Sequence, residues 1–350
     1  MSISFKEKAH GRVNLIGEHT DYNGGWVLPT AIPQYTEVIV TRKPGYAAHI
    51  SSSGNRDLTY YLGQEKPTGT WIDYLQGATK FLAEKHKLSG FEALIHSTMP
   101  EGSGLSSSAA LEVSFLKALR AAFKLDVSDV DLALMGQRIE NEFVGARVGI
   151  MDQMAVSLAT AGEALFLDTK ELTYERVKLP LDKMDLIIIN SGLAHQLSDT
   201  DGGYNQRRAQ CEEACEILGI KQLRDIDLAT LTSKKLPDVL HRRAHHVVSE
   251  NARVHEAVAA IKENNLPLLG KLFGESHKSM RDDYEISIPQ IDLLVELCTA
   301  ESDCFGARLT GGGFGGSIVA ITKKGTGSKV AEKVVEEYTK RTGIKATSLV

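Results

Sequence analysis

From Ser107 to Phe123 the chain reads SSAALEVSFLKALRAAF, apolar on nearly every face of a helix. Such a helix has no side to turn toward water, so it has to lie buried inside a folded domain. The stretch before it has the opposite character. Pro100 to Ala110, PEGSGLSSSAA, is rich in glycine and serine and separates the strand-like run FEALIHS from the helix. Glycine lets a backbone turn tightly and approach a ligand, and the unpaired N–H groups at a helix start favour an anion. Ser106, Ser107 and Ser108 add hydroxyl groups, one of which could ligate a metal. A plain glycine loop with serine caps fits the segment nearly as well. A P-loop would need Gly-Lys-Ser or Gly-Lys-Thr, and a Rossmann fingerprint a glycine or alanine where Ser107 stands. A phosphate held here is held by another arrangement.

Strand-like runs such as YTEVIVTR precede this segment. A second helix is expected from about Val130 to Phe143, with Ser128 or Asp129 as its cap and Leu132, Met135, Ile139 and Phe143 as its inner stripe. The buried segment GIMDQMAVSLA follows, then EALFLDTK, YERVKLPL and the buried strand DLIIINS. Beyond them the chain is mostly helical, with RVHEAVAAIKENN and IPQIDLLVELC, and it closes on GARLTGGGFGGSIVAIT and SKVAEKVVEEYTKR. Val330, Val334 and Tyr338 recur at helical spacing in the last of these. The texture changes near Pro180, which predicts two α+β domains, 1–180 and 181–350.

A net charge of -5 with both signs interspersed speaks against nucleic acid or an acidic membrane as partner, and favours a small-molecule ligand. The start, MSISFKEKAH, lacks the apolar core of a signal peptide, and no apolar run reaches bilayer length, so a cytoplasmic protein is expected. Four cysteines in 350 residues make no disulfide framework. Cys211 and Cys215 would share a helix face with Leu218 as reduced, structural thiols. His245 and His246 are adjacent and would point to different sides of a helix, making poor joint metal ligands.

Three further stretches carry polar groups in apolar surroundings. GRVNLIGEHTDYNGG, Gly11 to Gly25, reads either as a surface loop or as Glu18, His19 and Asp21 projecting from a frame anchored by Val13, Leu15 and Ile16. GGGFGG, Gly311 to Gly316, is either a tight connection packed on another backbone or a wall under a ligand. In VGIMDQM, Asp152 beside Gly149 is a helix cap or a buried carboxylate that needs a partner, which Arg12 could supply.

Taken together and in this order, the opening motif, GSGLSSSAA, GIMDQ and LTGGGFGG resemble the GHMP kinase superfamily, and GRVNLIGEHTDYNGG is similar to the galactokinase signature within it. WIDYLQGA, IENEFVG, RRAQCEEA and RRAHHVVSENARV extend the resemblance over most of the chain. It implies a two-domain α+β fold, like ribosomal protein S5 domain 2 in the N-terminal half and ferredoxin-like in the C-terminal half, with the site in the cleft between. The implied reaction is ATP-dependent phosphorylation of the anomeric hydroxyl of α-D-galactose by a monomer.

Carried over residue by residue, Glu18, His19, Thr20, Asp21, Gly149 and Tyr204 would bind the sugar. Gly102, Ser103, Gly104, Leu105, Ser106, Ser107 and Ser108 would wrap the ATP phosphates, with Trp71 near adenine. Ser108 and Glu140 would hold Mg²⁺, Asp152 would accept the proton, and Arg12 would stabilise the transition state. An aspartate beside an arginine is a weak base, so Asp152 is expected to orient the C1 hydroxyl and take its proton late.

The chain departs from the pattern at His10, in place of a proline, and at Asp73, in place of an asparagine. HQLSDTDGGY, between His195 and Tyr204, is also longer than usual by about two residues, which keeps open a sister kinase acting on N-acetylgalactosamine or arabinose. A mevalonate- or homoserine-type kinase has no evident use for Glu18-His19-Thr20-Asp21. A sugar and ATP sensor without turnover should show damage at the loop or the base, and Ser106 to Ala110, Glu140, Asp152 and Arg12 are all present.

Overall fold

A computed structural model describes residues 3–53, 57–100, 102–193 and 203–349. The chain opens with strands β1 (Ser4–Asn14), β2 (Trp26–Val27) and β3 (Pro29–Arg42). Strands β4 (Ala47–Ser52) and β5 (Leu58–Tyr61) lead to helix α1 (Ile72–Ala83), and β6 (Phe91–Ser97) leads to α2 (Ser107–Phe123). Helices α3 (Asp129–Arg138) and α4 (Met151–Leu158) follow.

Along β6, Phe91, Ala93 and Ile95 are buried while Glu92, Leu94 and His96 are exposed, the period of two that a strand covered on one face requires. β6 pairs antiparallel with β3 and parallel with β4. The all-round apolar helix is α2, and it is buried as expected. Phe115, Leu116 and Leu119 pack with Val38, Val40, Phe91 and Ile95 of the sheet and with Leu75 and Phe81 of α1.

Of the two caps expected for α3, Ser128 is the one used: its hydroxyl accepts from the Asp131 N–H and the Asp131 carboxylate accepts from the Ser128 N–H. The predicted continuation to Phe143 is not plain α-helix. It widens into a π-helical turn, Ile139–Val144, which ends at Gly145 in the left-handed region (φ 90). The Glu140 carbonyl there accepts from both Gly145 and Ala146, each at 2.8 Å. Such turns recur at functional sites, and this one carries Glu140.

Strands β7 (Glu163–Asp168) and β8 (Thr173–Lys178) pair antiparallel, and β2 pairs with the other edge of β7. A separate antiparallel sheet runs in the order β10, β11, β9, β12, built from β9 (Met184–Asn190), β10 (Cys304–Thr310), β11 (Ser317–Lys323) and β12 (Thr347–Ser348). Its helices are α5 (Gly203–Leu218), α6 (Leu228–Ser233), α7 (Asp238–Lys262), α8 (Leu266–Asp282), α9 (Pro289–Thr299) and α10 (Gly327–Thr342). Val330, Val334 and Tyr338 form the buried stripe of α10. Cys211 and Cys215 are buried on one face of α5 and unbridged, and burial pushes the Cys211 thiol up to about 12. No helix among the described residues is long and apolar enough to cross a membrane.

The elements form two compact units, each mixing strands and helices. The first comprises Met1–Arg12, Ala31–Pro100 and Ser106–Ala159, and the second Val13–Thr30, Glu101–Leu105 and Thr160–Val350. The single division at Pro180, giving 1–180 and 181–350, therefore does not describe these units. The chain changes unit within β1 and again within β3. Local texture changes with secondary structure and is blind to such crossings.

Candidate active site

In the second unit the opening motif is held by apolar burial and by hydrogen bonds that close its turn. Leu15 and Ile16 are fully buried, and the Leu15 and Leu28 N–H groups donate to Leu28 and Ile16 carbonyls at 3.1 Å. Gly17 (φ 109) has no room for a side chain, because a Cβ there would lie 2.7 Å from the Trp26 carbonyl. The Thr20 hydroxyl lies 2.8 Å from the Gly17 carbonyl and 2.7 Å from that of Trp26. Fully buried, Thr20 thus ties the turn.

Glu18 is buried as well. One carboxylate oxygen accepts from the Gly311 N–H at 3.1 Å, and the other accepts from Arg308. Arg308, wholly buried in β10, also donates to the Leu15 carbonyl (2.9 Å), the Asn14 carbonyl (3.2 Å), Ser276 Oγ (3.2 Å) and Glu250 (3.4 Å). Burial pushes the Glu18 carboxyl up, while the Arg308 charge opposes the shift. Burial acts in the same sense on Glu250, but Arg253 and Arg308 outweigh it and hold this carboxyl at about 2.

His19 adopts left-handed backbone (φ 61) and is almost fully buried. Its ring lies 5.1 Å from that of Tyr204 and 4.9 Å from that of Tyr284 between centroids, so the structure brings His19 and Tyr204 together. Asp21 starts a short turn, Asp21–Asn23, and is only half-buried. The lengthened stretch before Tyr204 falls on 194–202, outside the described residues.

His246 on α7 supports the motif from behind. Its Nε2 is 3.2 Å from the Glu18 carbonyl and its Nδ1 3.0 Å from Ser279 Oγ. Burial lowers its pKa from 6.5 to about 4. A depressed base binds its proton more weakly folded than unfolded, so the stability it contributes is present above pH 6.5 and lost as pH falls toward 4. We expect His246→Gln to flatten the decline of the urea midpoint over that interval. Parallel midpoint profiles for the two proteins would remove this source of acid sensitivity.

GGGFGG is a tight connection packed on other backbone. A Cβ at Gly311 would meet the Gly104 carbonyl at 3.0 Å and one at Gly313 the Ile286 carbonyl at 2.6 Å, and Ser317 Oγ donates to the Ser103 carbonyl at 2.8 Å. These contacts fix Gly102–Leu105 from one side. Ser106, at the start of α2, has left-handed backbone (φ 63) and a buried hydroxyl with no hydrogen-bond partner among the described residues. A buried orphan donor in a glycine loop is what a ligand oxygen would satisfy.

In the first unit, Arg12 near the end of β1 meets Asp152 in the first turn of α4. Nε and one terminal nitrogen of Arg12 both reach Oδ1, at 2.8 and 2.7 Å. Asp152 therefore has the partner expected of it, while its side chain stays one-third exposed (33%) and open to a ligand. Gly149 is buried just ahead of α4. Ser108 Oγ donates to Glu140 at 2.9 Å, and Gln153 Nε2 lies 3.3 Å from the same oxygen. Burial, with a smaller contribution from the Asp152 charge, pushes Glu140 up to about 7. One turn along α2, burial pushes the Glu112 carboxyl well up.

Trp71 stands at the start of α1, half-buried. The departure at Asp73 has a local reason. Its two oxygens accept from the Thr68 N–H (2.9 and 2.8 Å), the Gly69 N–H (2.8 Å) and the Thr68 hydroxyl (2.8 Å). An amide, with one acceptor oxygen, could not close that loop as completely.

Sequence reasoning missed Arg308, Glu250, Tyr22 and Tyr284. A lone arginine in the apolar strand GARLT was the one available signal for the first. The others sit in ordinary polar contexts and acquire partners only through the fold.

Three family descriptions match: GHMP kinases N terminal domain over residues 73–160, GHMP kinases C terminal over 257–340, and the galactokinase galactose-binding signature over 7–42. With the two mixed units and the serine loop opening α2, these matches define a GHMP kinase. The chain is 39% identical to the galactokinase of Thermotoga petrophila over 98% of its length and 96% of that protein, and 42% identical to that of Haemophilus influenzae (97% and 90%). The structure of Lactococcus lactis galactokinase complexed with galactose superimposes with a TM-score of 0.95 at 32% identity, covering 99% of this chain and 92% of that one. The chain belongs to the galactokinase family. L. major mevalonate kinase shares the fold (TM-score 0.66, 19% identity).

Proposed function

We propose that the protein transfers the γ-phosphoryl group of ATP to the C1 hydroxyl of α-D-galactose, giving galactose 1-phosphate and ADP. The observation that carries this reading is the Arg12–Asp152 pair, which joins an arginine inside the matched galactose-binding signature to the GIMDQ helix. Phosphoryl transfer needs alignment and positive charge on the moving group more than covalent chemistry. Arg12 supplies the charge. Asp152 orients the C1 hydroxyl and takes its proton as the new bond forms.

Asp21, half-buried and next in the chain to Tyr22, whose ring lies 5.6 Å from that of Tyr204, offers its carboxylate to sugar hydroxyls. Glu18, His19, Thr20 and Gly149 also serve the sugar. Gly102 to Ser108 receive the phosphates, with the Ser106 hydroxyl as a donor awaiting an oxygen, and Trp71 lines the adenine side. The Ser108 hydroxyl and Glu140 carboxylate are hard oxygen donors that suit Mg²⁺, which is usually held by one or two carboxylates together with phosphates. A carboxyl pushed to about 7 by burial is one that a neighbouring cation would return to its charged form. When bound, the ion neutralises charge on the phosphates.

The longer segment before Tyr204 favours a test among sugars. ADP release measured with galactose, N-acetylgalactosamine, arabinose and glucose should give galactose the highest kcat/KM by about tenfold or more. A higher kcat/KM for N-acetylgalactosamine or arabinose would overturn the choice of substrate.

A further inference from the structure

Behind His19 runs an unbroken row of hydrogen-bonding side chains. His19 Nδ1 lies 2.7 Å from the Tyr22 hydroxyl, which lies 2.8 Å from the Tyr284 hydroxyl, which lies 3.1 Å from the Cys211 thiol. On the far side of the ring, Nε2 lies 3.1 Å from the Gly312 carbonyl oxygen. Tyr284 and Cys211 are fully buried.

A carbonyl oxygen only accepts, so Nε2 must carry a hydrogen to bond Gly312. A ring with a single hydrogen then has Nδ1 as acceptor, and Tyr22 must donate to it. Each phenol has one hydrogen. With its own spent on His19, Tyr22 accepts from Tyr284, and Tyr284 in turn accepts from the thiol of Cys211. Burial pushes both phenols well up, so they stay as hydroxyl donors. The opposite order would end on the sulfur as acceptor, which is weak. In the first order the strong acceptors, a carbonyl and an imidazole nitrogen, sit where the donors point.

We infer that the Gly312 carbonyl on one side and the row Cys211, Tyr284 and Tyr22 on the other lock His19 in the tautomer with its hydrogen on Nε2 and so fix the ring that floors the sugar pocket. Tyr22 and Tyr284 are positioning residues for sugar recognition; this part rests on the reading of His19 as a pocket residue. A sugar hydroxyl both donates and accepts, so a pocket can tell one epimer from another only if its own donors and acceptors are fixed. Left-handed backbone at His19 and a row anchored in the α5 core provide that rigidity.

The test is a two-bond ¹H–¹⁵N correlation spectrum of the full-length protein labelled at histidine, with His19 assigned by its absence in His19→Gln. Wild type should show hydrogen on Nε2 and a bare Nδ1, and hydrogen on Nδ1 instead would overturn the proposal without any further variant. Tyr22→Phe should leave the hydrogen on Nε2, which Gly312 still holds, but shift the Nδ1 resonance as that nitrogen loses its donor, and raise the galactose KM about tenfold, with the ATP KM and kcat within about twofold. Tyr284→Phe, one link further away, should raise the galactose KM about threefold or less. An unchanged spectrum and unchanged galactose KM in Tyr22→Phe would also overturn it. An unchanged galactose KM in His19→Gln would remove His19 from the pocket and leave the tautomer assignment standing.

Discussion

Arg308→Met should cost about 3–5 kcal/mol of stability, because it strips a buried ion network of the cation that, among the described residues, reaches all of its parts. Arg308 holds Glu18, Glu250, Ser276 and the carbonyls of Asn14 and Leu15, and it is wholly buried. Methionine matches much of its volume, so the loss is one of charge and hydrogen bonds more than of packing. Glu250 keeps Arg253, at 2.7 Å, whereas Glu18 keeps only the Gly311 N–H among the contacts described above. Glu18→Gln should therefore recover part of the loss when combined with Arg308→Met, since it removes the stranded charge. Arg308→Lys should recover little: one ammonium cannot replace a planar fork that serves two carbonyls and two carboxylates. Urea midpoints at unchanged slope measure all three. A loss below about 1 kcal/mol for Arg308→Met would mean that this network does not hold the opening motif in place.

Legibility in the sequence followed how local each cause is. The burial of α2, the Ser128 cap and the stripe of α10 depend on neighbours three or four residues away, and composition and spacing were enough to read them. The Arg12–Asp152 pair was legible for a different reason. A carboxylate in an apolar segment demands a cation, and the opening motif, itself anchored by apolar residues, carries Arg12. Arg308 shows where this stops: the same demand was there at Glu18, but nothing local ties it to a strand 290 residues away. The glycine run resolved toward packing on backbone because close approach, and not a helix start, is what it provides at Gly104 and Ile286. The unit division escaped because two strands each serve both units, and no residue in either strand marks the crossing.

Arg12→Ala should lower kcat roughly a thousandfold or more, with the galactose KM changed far less, because a charge aimed at the moving phosphoryl group acts mainly in the transition state. The paired geometry sharpens the expectation. Arg12 places two nitrogens on one oxygen of Asp152, so it both carries the charge and sets the angle of the carboxylate. Arg12→Lys keeps a charge but can offer a single point donor, and should recover only a minor part of the lost rate. Asp152→Asn should lower kcat roughly a hundredfold or more, since the amide preserves shape but cannot accept the C1 proton. If the two side chains act as one unit, the double variant Arg12→Ala with Asp152→Ala will be about as slow as the slower single variant, and not slower by the product of the two losses. Single-turnover rates with saturating ATP and galactose measure the chemical step directly. Asp152→Ala turning over near the wild-type rate, beside a dead Arg12→Ala, would assign the proton to another acceptor and leave Arg12 alone at the reacting centre.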